Sequence, residues 1–577
     1  MDRAGDQPGQ VTSVLSVFGR GLRLATVVRD VPMPTNIRIV MALIGTALVF
    51  AVTMREVIPA GGADVVTYHN DNMRTGQNLT ETALTPAGVS VTGFGKVGFF
   101  STDGKVDGQP LYLSSVAIPG QGTHNVLYVV TEHDSIYAFD AETGAVLWHI
   151  SALGSGETTS DGRNCSQVVP EIGITSTPVI DRARGPNGAM YVVAMSKTGS
   201  GVYVQRLHAL DVTTGAELLG GPRTIQASFP GTGAGSSGGT VIFDPKQYEE
   251  RAGLVLVNGR VLTFWASHCD IDPYTGWIMA YDASTLSQTS VLNITPNGSR
   301  GAFWMAGTAP AADSAGNVYV LDGNGTFDTA MDANGFPSQR NFGNAFLRLS
   351  TSGGLTVADY FATFDTVQQS NADSDLGSGG AIVLPDLIDG AGQVRHLAVG
   401  AGKDRHIYVV DRESMGKWNA TSNRIYQDVA GALSGGVFSM PAYFGNTVYY
   451  GASGDALKAF PITTARLSSA AASATARAFT FPGTTPSVSA NGGTNGIVWA
   501  VENTNPAVLH AYDATNLSRE LYNSSQAPSG RDTFGAGNKF ITPTIVNGHV
   551  YVGTQTGVAA FGLFGAPAPP QNLRIVP

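Results

Sequence analysis

Along most of the chain apolar and polar residues alternate with a period of two, in short runs such as Leu127–Val130 and Ser135–Asp140. The runs are bounded by clusters of Gly, Asn, Asp, Ser and Thr, which predicts strands joined by tight turns and excludes a helical solenoid. A larger unit recurs eight times: a Ser/Thr/Gly-rich lead, usually a Pro, an alternating strand, a polar turn and further strands. The copies begin at Asp107, Ile174, Gly235, Gly307, Gly377, Phe438, Pro486 and Ile541. Spacings of roughly 50 to 80 residues, each with about four strand signals, fit propeller blades. The last copy is short and ends near Phe564, while Phe94–Ser101 is a strand without a copy of its own. The expected fold is therefore all-β, an eight-bladed β-propeller over residues 64–564 closed by that N-terminal strand.

Composition agrees with this picture and narrows the partners. The 72 glycines suit many turns, and 43% hydrophobic against 14% charged residues suits a well-buried body. A net charge of −10 without any Lys/Arg-rich run excludes a nucleic-acid partner. Ile39–Val52 is a continuous apolar run after Arg38, followed by Ala60-Gly61-Gly62-Ala63. That is the grammar of an export signal, so residues 33–63 read as a signal peptide or a retained membrane anchor, and residues 1–32 as an over-extended start. The expected location is periplasmic or extracellular, with membrane contact only through an uncleaved segment. The only cysteines, Cys165 and Cys269, form no CxxC or haem-attachment pattern and read as a disulfide in such a compartment. Residues 565–577 form a Pro/Ala-rich tail in which Asn572–Val576 resembles the first strand of a fibronectin type III module.

One motif is more specific. Ala138, Asp140, Thr143, Gly144 and Trp148 spell A-x-D-x-x-T-G-x-x-x-W. The second copy keeps Ala209, Asp211, Thr214 and Gly215 with Leu219 in place of Trp, and later copies retain only Ala280/Asp282 and Ala511/Asp513. Upstream lies the polar leader Tyr68-His69-Asn70-Asp71-Asn72-Met73-Arg74-Thr75-Gly76. With these features the chain resembles the pyrroloquinoline-quinone (PQQ) repeat propellers, the quinoprotein alcohol dehydrogenase-like family. A Thr-Gly turn, an Asp cap and a Trp packed between blades specify architecture, not chemistry.

In a propeller, the segments entering each innermost strand and the loops between second and third strands converge on one face. Read in register, they carry Glu171, Ser237, Arg300, Trp304, Asp375, Ser378, Asn495 and Lys539, with His133, Asp134, His268, Asp270, Asn324 and Lys403. The resemblance implies a planar tricarboxylate cofactor beside calcium. On that basis Glu171 and Asn495 are candidate calcium ligands, Arg300, Lys539 and Ser237 candidate cofactor contacts, Trp304 a stacking floor and Asp375 the general base. Cys165 and Cys269 fall on the same face. Asp and Asn in Gly-rich loops also cap turns without any chemistry. Two functions stay open: a PQQ- and calcium-dependent dehydrogenase acting on a small alcohol or sugar, and a non-catalytic envelope or secreted propeller that binds a protein or carbohydrate. The adjacent-cysteine pair of many alcohol-oxidising members is absent.

Overall fold

The computed structural model describes residues 64–305 and 307–565. The stretches read as start, export segment and tail, 1–63 and 566–577, lie outside the described residues. Among the described residues no helix is long and apolar enough to cross a membrane.

Eight sheets of four or five strands follow one another along the chain, antiparallel but for the parallel pairing of Gln77–Asn78 with Ser487–Asn491 in the seventh, an arrangement consistent with a β-propeller. Sheet one shows the plan: Leu111–Ile118, Gly122–Val130, Ser135–Asp140 and Val146–Ser151 pair in sequence order. The first strands of sheets two to eight are Val179–Asp181, Val255–Val257, Ala311–Ala312, Ala381–Val383, Ala442–Phe444, Ser487–Asn491 and Thr544–Val546. Sheet eight has three strands from the C-terminal repeat, and its fourth is Phe94–Ser101, paired antiparallel from Phe94 opposite Leu563 to Ser101 opposite Gly557.

Apolar side chains fill the spaces between consecutive sheets. Phe264 and Ile278 meet Val320 and Leu347 between sheets three and four, and Trp499 and Leu509 meet Val550 and Phe561 between seven and eight. One cluster joins Tyr551 and Val558 of sheet eight to Phe139 of sheet one and Met190 of sheet two. Tyrosines latch neighbours together. The Tyr551 hydroxyl donates to the Ala141 carbonyl at 3.0 Å, Tyr128 to Val212 at 2.9 Å, Tyr449 to Ala514 at 2.8 Å, and Tyr191 to Ala283.

Each accepting carbonyl follows a capping aspartate. Asp140 Oδ1 accepts from the Thr143 amide and hydroxyl, both at 2.8 Å, and Asp211 and Asp513 accept likewise from Thr213 and Thr515. Gly144 has φ +74°, and a Cβ there would lie 2.6 Å from the Phe100 ring. Trp148 Nε1 donates to the Val212 carbonyl at 3.1 Å, and its indole covers Gly215, where a Cβ would sit 2.9 Å from the ring. The motif therefore docks sheet one onto its neighbours on both sides. The cap survives in copies from which the Trp has gone.

The leader threads the assembly. Val65 pairs with Tyr112 of sheet one, the Val66 carbonyl accepts from Ile180 of sheet two, and Asn72 reaches Leu256 of sheet three and Ala312 of sheet four. Met73, Thr75 and Gly76 carbonyls accept from Val383, Tyr443 and Val488 of sheets five, six and seven, and Asn78 donates to Ile545 of sheet eight. Thus residues 65–78 engage all eight first strands in order. Arg74, fully buried, donates to the carbonyls of Tyr68, Leu254 and Pro310 and to the Thr67 hydroxyl.

Two local readings need correction. The Gly235 stretch does not open sheet three; Ser236–Ser237 joins Ser228–Pro230 and Thr240–Ile242 in a separate three-stranded sheet. Its alternation, GTVIF, is indistinguishable from a blade strand, but its partners are local. Asn491 and Asn495 flank the turn that follows the first strand of sheet seven, not the segment that enters it.

Candidate functional site

The segments entering the first strands enclose two cavities that share a wall. The first, about 250 Å³, is lined by Lys105, Asp107, Thr175 and Asn538 among others. The second, about 170 Å³, is lined by Trp304, Asp373, Asp375, Ser378 and Lys403 together with Phe438 and Phe481. Gln167, Arg251, Lys539 and Phe540 border both. Within this wall Arg251 Nη1 donates to Gln167 Oε1 at 3.0 Å, and its guanidinium lies 5.5 Å from the Phe540 ring centre. Lys539 Nζ lies 5.9 Å from the centre of Phe481. On the leader side, the Tyr68 hydroxyl bonds Thr542 Oγ1 at 3.1 Å, just before sheet eight begins.

Asp375 is held by its backbone. It precedes the 3-10 turn Leu376–Ser378, whose first amide donates to Asn344 Oδ1 at 2.8 Å, and its carbonyl accepts from the Lys403 amide at 2.9 Å. Gly377 permits the turn to touch the neighbouring chain, since a Cβ would lie 2.3 Å from the Gly323 nitrogen. Lys403 Nζ sits 2.5 Å from Asp373 Oδ1 and 2.8 Å from Asp375 Oδ1. The Asp375 contact lacks hydrogen-bond geometry, and neither of its carboxylate oxygens has a hydrogen-bond partner. Burial pushes the Asp375 carboxyl above the ordinary range, and the Lys403 ammonium pulls it back in part. Trp304 is almost covered, and its indole lies against Gly323, where a Cβ would come within 2.5 Å.

Beneath the first cavity is a buried acidic group. Lys105 Nζ pairs with Asp107 at 2.7 Å. Glu132 accepts from the Gly173 amide and the Thr175 hydroxyl at 2.9 and 3.0 Å, and burial holds it well above the usual carboxylate range. Burial also raises Glu249 and lowers His268, 3.6 Å away, to about 4. The Cys165–Cys269 disulfide, Cα atoms 5.5 Å apart, fastens two loops here. Ser166 and Gln167 beside Cys165 line the first cavity, and Asp270 beside Cys269 lines the second.

Trp304, Asp375 and Lys539 thus share one cavity. The other expected contacts do not join them. Arg300 pairs with Asp272 at 2.8 Å and is half-buried, and Ser237 is exposed on the small side sheet. Glu171 accepts from His133 at 3.0 Å and Thr159 at 2.7 Å, and Asn495 is exposed at the start of the strand Thr494–Glu502. Among the described residues no three His, Cys, Asp or Glu side chains form a group that could hold a metal. Sequence reasoning passed over Asp373, Arg251, Gln167 and the three phenylalanines. Asp373 was findable, two residues before Asp375. The phenylalanines read as ordinary core until their neighbours are known.

No family model and no curated protein sequence matches the chain. Solved structures do. The quinohemoprotein alcohol dehydrogenase from Comamonas testosteroni matches over 88% of this chain and 82% of its own, with 14% identity and a TM-score of 0.58. A quinohemoprotein alcohol dehydrogenase from Pseudomonas putida HK5 matches over the same shares, with 14% identity and a TM-score of 0.56. The chain shares their fold. A europium-containing methanol dehydrogenase, 12% identical, matches with a TM-score of 0.53 over 87% of this chain and 98% of its own.

Proposed function

We propose that this chain is an exported quinoprotein-like dehydrogenase, an eight-bladed ring that oxidises an alcohol in the cavity between Trp304 and Asp375. The ring is supported by the eight successive sheets, by the apolar cluster joining the last to the first, and by the Phe94–Ser101 pairing. The observation that carries the activity is the buried Asp375 carboxyl beside Lys403, in a cavity floored by a tryptophan, on a fold shared with alcohol dehydrogenases.

The residues fit PQQ in part. Arg251 and Lys539 form no ion pair within 4.0 Å among the described residues, so both cations are free for ligand carboxylates, and Trp304 offers a ring face. Calcium fits less well, because the Asp373 and Asp375 carboxylates already share the Lys403 ammonium. Bound PQQ would supply the two-electron acceptor that alcohol oxidation needs. In its ionised form Asp375 takes the hydroxyl proton, and its poor solvation makes it a stronger base than an exposed carboxylate. Lys403 holds the carboxylate in place and balances its charge before the proton arrives.

The test is a titration of the purified protein with PQQ and calcium, following cofactor absorbance and thermal stability together, then dye-linked oxidation over an alcohol panel. Saturable stabilisation with dye reduction supports the reading. Absence of both discards it and leaves a binding propeller whose partner has to be sought by pull-down.

A further inference from the structure

The second cavity has two unlike halves. Trp304, Asp373, Asp375 and Lys403 come from sheets four and five, as does Ser378, whose hydroxyl is spent on the Val437 carbonyl at 2.6 Å. The other part of the lining is aromatic: Phe438, Phe481 and Phe540 come from the three segments that enter sheets six, seven and eight. Phe438 and Phe481 meet edge to face at 5.1 Å, and Phe481 and Phe540 at 6.3 Å. Phe481 is 49% exposed, an unusual state for a phenylalanine on a cavity wall. Phe540 has φ +67°, a conformation a bulky residue adopts only when its surroundings impose it. Gly307 makes room for it, since a Cβ there would lie 2.6 Å from that of Phe540. The ring is thus held in the wall at a conformational cost.

Resting on the dehydrogenase reading, we infer that the substrate is an alcohol with a flat apolar body, an aryl-methanol such as benzyl alcohol, not a sugar or polyol. The hydroxyl faces Asp375 and Lys403, and the ring covers the Phe438–Phe481–Phe540 wall, removing exposed apolar surface from water. A quaternary ammonium alcohol is disfavoured, because the Arg251 and Lys539 cations beside these rings repel a further positive charge. A sugar would turn several hydroxyls toward rings that cannot replace their lost water hydrogen bonds.

Two measurements separate this inference from the reading beneath it. Saturation-transfer NMR on the full protein without cofactor asks whether benzyl alcohol binds where glucose does not, and whether Phe481→Ala or Phe438→Ala weakens it. Dye-linked kinetics with PQQ and calcium then compare kcat/KM for benzyl alcohol, ethanol and glucose. The expected result is NMR binding of benzyl alcohol alone, a kcat/KM preference of about tenfold or more over ethanol, and a comparable fall in that preference for Phe481→Ala. Thermal melts check that each variant is folded. Equal or better use of glucose or ethanol, or no benzyl alcohol binding, overturns the inference while leaving a dehydrogenase. Benzyl alcohol binding that the phenylalanine variants weaken, without any turnover, overturns the dehydrogenase and keeps the ligand class.

Discussion

Asp375 and Asp134 are both buried carboxyls, yet burial does different things for them. Asp375 has an ammonium beside it and a cavity in front of it, so its raised proton affinity serves proton transfer. Asp375→Asn is expected to lower dye-linked turnover by a factor on the order of 10² to 10⁴ while leaving the melting temperature near that of the parent. Because the folded carboxyl titrates above the ordinary range, the acid limb of the pH–rate profile should lie above the pH at which a free aspartate ionises. Asp134 has no such partner: both side-chain oxygens lack a hydrogen bond, and burial, then Glu171 and Glu157, push its pKa up to about 9. A folded pKa above the unfolded value means stability is greatest in acid and declines as pH rises from about 4 toward about 9. Asp134→Asn should flatten that decline, seen as a pH series of urea midpoints. Neither burial was legible in the sequence, where both residues look like turn aspartates in Gly- and Ser-containing loops.

Elements show where repetition informs and where it misleads. The eight alternating units stood out because strand periodicity is local and each blade repeats it. The side sheet holding Ser237 and the turn beside Asn495 escaped because periodicity says nothing about which strand is the partner. The leader was visible as a polar stretch ahead of the first unit, but its contacts were not. Its polar sequence gives no strand signal, yet Arg74 makes five side-chain bonds to Thr67, Tyr68, Asp71, Leu254 and Pro310 in a fully buried position. Arg74→Met keeps the bulk and strands those acceptors, so it should destabilise the protein by about 3–5 kcal/mol. A thermal melt showing a change of less than a degree would count against the leader as a structural axle. Gly144→Ala tests the docking turn: φ +74° and the Phe100 ring both resist a Cβ, and a loss of about 1–3 kcal/mol is expected.

For the whole molecule, the disulfide and the two ends matter most. Cys165 and Cys269 are 104 residues apart in sequence, so the bridge restrains a long stretch of unfolded chain as well as the cavity loops. Reduction should cost about 2–4 kcal/mol and raise protease sensitivity around residues 161–172 before the sheets open. That the cysteines share a face followed from counting strands, whereas the two-chambered site beside them depends on side chains from segments of all eight sheets and had no linear trace.

Phe94–Ser101 leaves the ribosome long before its hydrogen-bonding partner Gly557–Leu563. During synthesis that strand has an unsatisfied edge, and the leader just ahead of it has only some of its eight docking positions available. The molecule cannot be finished piece by piece as it is made. Sheet eight is complete only when these two distant segments meet, so a nascent chain stalled before residue 557 carries seven complete four- or five-stranded sheets, an eighth left unfinished and an adhesive loose strand.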